Sequence, residues 1–174
     1  TRIFAVSRDT AESIAGSYRL SSRSITVIEN PVDPVFFAPR TKDEDASPTI
    51  LCVGRLEPRK GTDVLVRAFA LLRARMPVVR LTLIGADLMG ASLQRLLDDL
   101  HLRPFVRLLG HIPQQQRIAR MQSATVIAVP SLLEGFGLIA AAAMAMGKPV
   151  VASSSLGLRS ILRHEETGLL VAPR

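Results

Sequence analysis

Two cationic side chains, Arg55 and Lys60, follow the apolar run at 50–53 and flank a turn that contains Pro58. Lys60 stands where the next helical pattern begins. The fork of an arginine, the point charge of a lysine and the positive end of a helix dipole together suit a phosphate group. The pattern therefore predicts a phosphate clamp. A basic surface turn without a ligand is an alternative interpretation of the same residues.

A single carboxylate, Glu134, precedes two glycines and an apolar helical pattern in the stretch EGFGLIAAAAMAMG at 134–147. Gly135 and Gly137 lack side chains, so the amides that enter this helix are open to a phosphate or to sugar hydroxyls. Because like charges repel, we expect Glu134 to accept hydrogen bonds from neutral hydroxyls. Capping of the helix by Glu134 is the alternative. The apolar composition predicts a helix buried on all sides.

These loops need a framework, which apolar runs and helical patterns provide from Thr49 onward. Strands are predicted at 50–53, 79–84, 106–109, 125–129, 149–152 and 169–171. Helices are predicted at 61–75, 91–100, 114–122, 138–146 and 158–163. Continuously apolar strands that alternate with helices predict a doubly wound, Rossmann-like α/β fold with a parallel sheet covered on both faces. Ligands bind such sheets outside the carboxyl ends of the strands, where these loops lie.

The residues ahead of this domain follow a different pattern. Residues 9–20 are predicted as a helix capped by Asp9 or Thr10, and residues 25–28 as a strand. Residues 40–48 are polar and charged and end in a proline, which is typical of a linker. We therefore expect an interdomain segment at 1–46 and a Rossmann-like domain at 47–174.

Composition restricts the classes of function. With 174 residues and 48% hydrophobic residues, the chain is expected to form a globular domain. The net charge of +7 fits phosphate-bearing ligands, an anionic membrane surface or nucleic acid. Scattered arginines and the absence of Trp argue against nucleic acid. Cys52 is predicted as a buried strand residue, and the three histidines show no metal-ligand spacing, so no metal site is predicted. Without a membrane-spanning run or a signal peptide pattern, we expect a cytoplasmic protein.

Four motifs taken together resemble the C-terminal half of the GT-B glycosyltransferases of the retaining family GT4. They are GRLEPRKG at 54–61, PSLLEGFGL at 130–138, GKPVVAS at 147–153 and ETGLLV at 166–171. The segment ITVIENPVDPVFFAP at 25–39 is similar to the one that leads out of that family's N-terminal domain. The resemblance implies the donor-binding half of an enzyme that transfers a sugar from a nucleotide-diphosphate sugar with retention of configuration. A non-catalytic nucleotide- or sugar-binding module is the alternative.

The resemblance also implies roles for individual residues. The donor diphosphate would be bound by Arg55, Lys60, Gly135, Gly137 and Leu138. The donor sugar would be bound by Glu134 and Phe136, and the nucleotide by Gly85, His111, Ile112 and the position of Ala142. No catalytic residue is assigned in this half. No metal ion or other cofactor is implied, and a UDP- or GDP-sugar would be the substrate.

The sequence departs from the family pattern at three places. The family has a ribose-binding glutamate eight positions after the first one, and Ala142 stands there. Ser160 replaces a second frequent glutamate, and the glycine loop reads GADLMG at 85–90. We expect the chain to lack the family's N-terminal domain and terminal helices. The expected partners are that domain and a sugar or lipid-linked acceptor in polysaccharide or glycoconjugate synthesis, with peripheral association at the inner face of the membrane.

Overall fold

The computed structural model describes residues 2–37 and 47–173. The first range forms a small β–α–β unit. Its elements are β1 (Ile3–Ala5), α1 (Arg8–Tyr18) and β2 (Ile25–Val27). The two strands pair in parallel, and α1 packs against both of them around a core of its own. This unit is separate from the large sheet that follows.

The predicted cap of the first helix was wrong by two or three residues. Ser7, with an extended backbone, is the N-cap, and its hydroxyl accepts a hydrogen bond of 3.1 Å from the Thr10 N–H. Serine at this position satisfies an amide that the first helical turn leaves unpaired. Asp9 instead lies inside the first turn, where its charge complements the helix dipole.

The larger sheet has six parallel strands. They are β3 (Thr49–Val53), β4 (Arg80–Ile84), β5 (Val106–Leu108), β6 (Val126–Val129), β7 (Val150–Ser153) and β8 (Leu169–Val171). Their order in the sheet is β5-β4-β3-β6-β7-β8, so the chain builds outward from β3 and then crosses back to β6 on the other side. This is the strand order of Rossmann folds, and it confirms the predicted doubly wound α/β class.

Five helices cover the two faces of this sheet. They are α2 (Thr62–Arg75), α3 (Ala91–Asp99), α4 (Gln114–Ser123), α5 (Leu138–Ala145) and α6 (Leu156–Ile161). Neighbouring residues of a strand point to opposite faces. Accordingly, Cys52 of β3 belongs to a core cluster with α2 and α3, whereas Leu51 belongs to one with α4, α5 and α6. Both predicted faces are therefore filled.

Helix α5 is packed through its alanines. Ala140, Ala142 and Ala143 are buried against β6 and β7, and their small side chains let the helix lie close to the sheet. The prediction of burial on all sides is wrong, because Ile139, Ala141, Met144 and Ala145 are only partly buried and Leu138 is 53% exposed. It stands at the start of the helix, beyond the sheet residues that cover the later turns.

The helices and strands of the large domain begin and end within about two residues of their predicted positions. Strand β1 was missed, because three residues are too few to show a periodic pattern. Of the predicted linker at 40–48, residues 40–46 lie outside the described residues, and the domain boundary stays a prediction. No helix in the described ranges combines the length and the apolar character needed to cross a membrane.

Candidate functional site

A cavity of about 450 Å³ opens at the carboxyl ends of β3 and β6. These two strands are the neighbours between which the order of the sheet reverses, which is where doubly wound sheets form their ligand crevice. The lining comes from the loop after β3, the loop after β6 with the start of α5, and the β1–α1–β2 unit. Its residues are Val6, Asn30, Cys52, Val53, Gly54, Arg55, Lys60, Val129, Pro130, Ser131, Glu134, Gly135, Phe136, Gly137, Leu138 and Ile139.

Both predicted cations lie in this lining. The Arg55 side chain is 55% exposed, and its guanidinium is 3.4 Å from the Glu57 carboxylate. Lys60 ends a short 3-10 turn, Pro58–Lys60, and its side chain is only 23% exposed. The two side chains therefore offer one exposed charge and one largely buried charge.

Gly61 brings the start of α2 against the loop after β6. Its φ is +66°, and a Cβ built on it would come within 2.1 Å of the Pro130 carbonyl oxygen. No residue with a side chain fits at that distance. The close approach places Lys60 beside the loop that carries Glu134.

Lys60 and Glu134 form an ion pair across the cavity. The distance from Lys60 Nζ to Glu134 Oε2 is 2.7 Å, and the Glu134 side chain is 20% exposed. The proposed alternative of a helix cap does not hold, since the N-cap of α5 is Gly137 and no described side chain caps that helix. The second carboxylate oxygen of Glu134 has no hydrogen-bond partner within the described residues, so it is available to a ligand.

The loop that follows Glu134 presents unpaired amides. The N–H groups of Gly135, Phe136 and Gly137 donate no hydrogen bond to any part of the chain that the structure describes. The carbonyl oxygens on the same stretch are occupied: that of Glu134 accepts from the Gly157 N–H at 2.9 Å. That of Gly135 accepts from side-chain hydroxyls. Consecutive free N–H groups at a helix start form an anion-binding arrangement.

The side chains of this loop differ in how far they are buried. Phe136 is only 7% exposed, so a ligand in the cavity meets mainly its backbone, whereas Leu138 is half exposed at the mouth. Gly157 of α6 packs directly beneath, because a Cβ built there would lie 2.4 Å from the Phe136 nitrogen. The loop is thus supported from below by backbone contact.

Gly85, His111 and Ile112 lie outside the cavity lining, on a neighbouring rim. The Gly85 N–H donates to the Gly110 carbonyl at 2.8 Å, which joins the loops after β4 and β5. A Cβ on Gly85, at φ +140°, would come within 1.9 Å of the Gly54 carbonyl oxygen. The rim therefore adjoins the cavity wall at Gly54, with His111 exposed and Ile112 half-buried.

Ala142 is not brought to the cavity. It is 3% exposed and belongs to the core cluster beneath α5. At this position the structure shows packing of a small side chain against the sheet. A role for the Ala142 side chain as a nucleotide contact is not supported by this placement.

Sequence reasoning missed several lining residues. Val6 and Asn30 come from the β1–α1–β2 unit, more than 100 residues before Glu134, and no local pattern marks them. Cys52 is buried, as predicted, yet it also borders the cavity. Burial raises the pKa of its thiol to about 12, against a smaller lowering by the Lys60 charge. The neutral thiol is thus an apolar part of the cavity floor.

Comparison with known sequences gives a consistent result. A family model described as "Glycosyl transferases group 1" matches residues 36–174. A D-inositol 3-phosphate glycosyltransferase from Pseudarthrobacter chlorophenolicus is 36% identical, covering 98% of this chain and 43% of the relative. Its counterpart from Nocardioides sp. is 34% identical, covering 92% of this chain and 40% of the relative. The chain spans less than half the length of these relatives.

Solved structures show the same fold. HepE of Anabaena, in complex with UDP and glucose, superposes with a TM-score of 0.87 at 25% identity, over 99% of this chain and 49% of that one. Sucrose-phosphate synthase from Thermosynechococcus elongatus superposes with a TM-score of 0.83 at 31% identity, over 98% of this chain and 45% of that one. HepE has also been solved with UDP-glucose.

Proposed function

Since this chain belongs to the glycosyl transferases group 1 family and has the half GT-B fold that its sequence predicted, we propose that it is the donor-binding half of a glycosyltransferase. The substrate is a nucleotide-diphosphate sugar, whose sugar is transferred to an acceptor with retention of configuration. The observation that carries this proposal is the cavity between β3 and β6. There two cations, one carboxylate and three amides that have no hydrogen-bond partner in the described part of the chain lie together.

The diphosphate occupies the cationic part of the cavity. Arg55 and Lys60 supply two positive charges, and the free N–H groups of 135–137 and the start of α5 supply hydrogen bonds and the positive dipole end. During transfer the bond between the anomeric carbon and the diphosphate oxygen breaks, and its electron pair goes to that oxygen. These groups stabilise the charge that develops there, so the proposal includes no metal ion and no other cofactor.

The sugar and the nucleoside lie on opposite sides of the diphosphate. One carboxylate oxygen of Glu134 has no partner among residues 2–37 and 47–173, and it accepts hydrogen bonds from sugar hydroxyls beside the backbone of Phe136. The nucleoside extends over the rim formed by Gly85, His111 and Ile112, which adjoins the cavity at Gly54. HepE, which superposes on 99% of this chain, is solved with UDP-glucose, and this supports a nucleotide-sugar donor here.

Titration of the chain with UDP and GDP tests the proposal, with wild type compared with an Arg55→Ala/Lys60→Ala double variant. We expect at least one nucleoside diphosphate to bind the wild type and to lose most of its affinity in the double variant. Equal binding by the two proteins would remove the phosphate-clamp assignment.

The acceptor and the rest of the enzyme are a further part of the proposal. A sugar or lipid-linked acceptor binds between this chain and an N-terminal domain, in the cytoplasm or at the inner face of the membrane. The net charge of +7 supports contact with an anionic surface. Co-sedimentation with anionic vesicles at low and high salt tests it, and binding is expected at low salt only. Absence of binding at low salt would contradict the proposed association with the membrane surface.

A further inference from the structure

The carbonyl oxygen of Gly135 is held by two hydroxyls from the β1–α1–β2 unit. Ser7 Oγ lies 2.9 Å and Thr10 Oγ1 lies 3.0 Å from this oxygen, although more than 120 residues separate them from it in the chain. The two hydroxyls are also 2.9 Å from each other. This contact joins the start of α1 to a cavity-lining loop whose N–H groups at 135–137 have no hydrogen-bond partner within the described residues.

We propose that Thr10, supported by Ser7, is a positioning residue for donor binding, which sets the Gly135–Phe136 peptide so that its N–H can hold the diphosphate. This inference rests on the proposed function and deepens it. In a trans peptide the C=O and the N–H point in opposite directions, so fixing the Gly135 oxygen fixes the direction of the Phe136 N–H.

The preceding peptide is held in the same way. The Glu134 oxygen accepts from the Gly157 N–H at 2.9 Å, which fixes the direction of the Gly135 N–H. Two consecutive peptides are therefore anchored through their oxygens, from α1 and from α6, while their N–H groups stay unpaired within the described residues. A loop whose N–H groups are already fixed loses less conformational entropy when an anion binds than a loop whose N–H groups are mobile.

Hydrogen bonds to the Gly135 oxygen also polarise the peptide. A hydroxyl that donates to a carbonyl draws charge through the amide and makes its N–H a stronger donor. The Phe136 N–H is thereby a better partner for a phosphate oxygen than an isolated amide. Thr10 acts on the ligand through the peptide and does not border the cavity itself.

Ser7 and Thr10 differ in what else they do. Ser7 is the N-cap of α1 and is fully buried, so its replacement would also weaken the helix. The Thr10 hydroxyl has no capping role and is partly exposed. Thr10→Val keeps the shape and removes only the hydroxyl, while Thr10→Ser retains it. Thr26, exposed on β2 of the same unit, provides a matched Thr→Val control.

The test is calorimetric titration of the 174-residue chain with UDP and with inorganic pyrophosphate. We expect Thr10→Val to weaken both by about fivefold, because the Gly135–Phe136 peptide is then less fixed before the ligand binds. Thr10→Ser should restore wild-type affinity, and Thr26→Val should leave it unchanged. Ligand-free Thr10→Val also loses this hydrogen bond in its folded state, so its unfolding midpoint should fall by roughly 2–4 °C. A lower midpoint with unchanged affinity would show that the hydroxyl has only a structural role.

Three outcomes overturn the inference in different ways. If wild type binds UDP, Lys60→Ala weakens it and Thr10→Val does not, Thr10 has no positioning role and the proposed function stands. If Lys60→Ala and wild type bind UDP equally, the diphosphate site itself is wrong. A loss of affinity in Thr10→Val that Thr10→Ser does not restore would likewise contradict positioning by the hydroxyl.

Discussion

The ammonium of Lys60 lies 2.7 Å from the carboxylate of Glu134, so the cation proposed for the diphosphate is paired with the acceptor proposed for the sugar. Both side chains are about one-fifth exposed. An anion that enters the cavity therefore competes with Glu134 for Lys60. The hydroxyls of a donor sugar replace the ion pair that Glu134 loses with new hydrogen bonds, whereas UDP, which has no such sugar, does not.

Glu134→Gln should separate the two parts of the donor. The amide keeps an acceptor for Lys60 but removes the negative charge, so UDP should bind equally well or several-fold more tightly. UDP-glucose should lose its advantage over UDP by about tenfold, because hydrogen bonds to a charged acceptor are stronger by roughly 1.5 kcal/mol. Calorimetric titration with both ligands measures the ratio.

Glu57→Gln is the matched control for that measurement. Glu57 contacts Arg55 and Arg59 on the same side of the site but does not line the cavity. Its substitution should leave the ratio of UDP-glucose to UDP affinity unchanged. If Glu134→Gln also leaves the ratio unchanged, Glu134 does not bind the sugar.

Gly157→Ala should displace the loop that holds the free amides. The added Cβ would lie 2.4 Å from the Phe136 nitrogen and from the Gly135 carbonyl carbon, and neither backbone atom can yield without moving the loop. We expect lower stability and UDP binding weakened by at least tenfold. Urea unfolding and titration with UDP measure the two effects.

Gly16→Ala is the control for a glycine in a helix. A Cβ built at Gly16, which is in α1, would have no atom of residues 2–37 or 47–173 within 4 Å beyond its own surroundings in the helix. This variant should be as stable as wild type or up to ~1 kcal/mol more stable, since alanine favours helix. Wild-type UDP affinity in Gly157→Ala would show that the loop geometry is not needed.

Ala142→Glu tests the position where the family resemblance expects a carboxylate. Ala142 is 3% exposed in the core, so a glutamate there would bury an unpaired charge. We expect the free energy of unfolding to fall by at least ~3 kcal/mol. Ala141→Glu, on the partly exposed neighbour, should cost less. A gain in UDP affinity in a stable Ala142→Glu protein would contradict this view of the helix.

The framework of the site was predictable because its signals are local. Apolar runs located each strand of the large sheet, and GRLEPRKG and EGFG marked the loops that line the cavity. The contacts between these loops were not predictable. Lys60 meets Glu134 across 74 residues, and Ser7 meets Gly135 across 128, so only the fold brings them together. The strand pattern places these loops at one edge of the sheet, but it does not determine which of their side chains make contact.

For Ala142, the family pattern predicted a position along the chain but not its burial. The alignment of motifs placed it at a nucleotide contact, because a family pattern fixes a position along the chain. Its burial depends on how closely α5 lies to the sheet, which the alanines decide together. The motifs do not determine how closely the helix lies to the sheet, so they could not predict this burial.

Cys52 should be unreactive in the native protein at pH 8. Burial raises the pKa of its thiol from 9.0 to about 12, so almost no thiolate forms. Labelling with a thiol reagent should be at least about 100-fold slower than in urea-unfolded protein. Rapid native labelling would show that the cavity floor is open to solvent.

The same pKa shift makes stability depend on alkaline pH. The unfolded thiol ionises above pH 9 while the folded thiol keeps its proton up to about pH 12. The unfolded state then binds fewer protons, so the free energy of unfolding falls as pH rises through this window. The stability advantage of wild type over Cys52→Ala should therefore shrink from pH 8 to pH 10.

The most direct test of the diphosphate site compares two neighbouring arginines. Arg55 and Arg59 have similar exposure, 55% and 48%, and both contact Glu57, but only Arg55 borders the cavity. The measurement is the dissociation constant of UDP for Arg55→Ala and for Arg59→Ala. We predict about tenfold weaker binding for Arg55→Ala, corresponding to ~1.4 kcal/mol, and wild-type binding for Arg59→Ala. Equal affinities in the two variants would contradict the assignment of this cavity to the donor diphosphate.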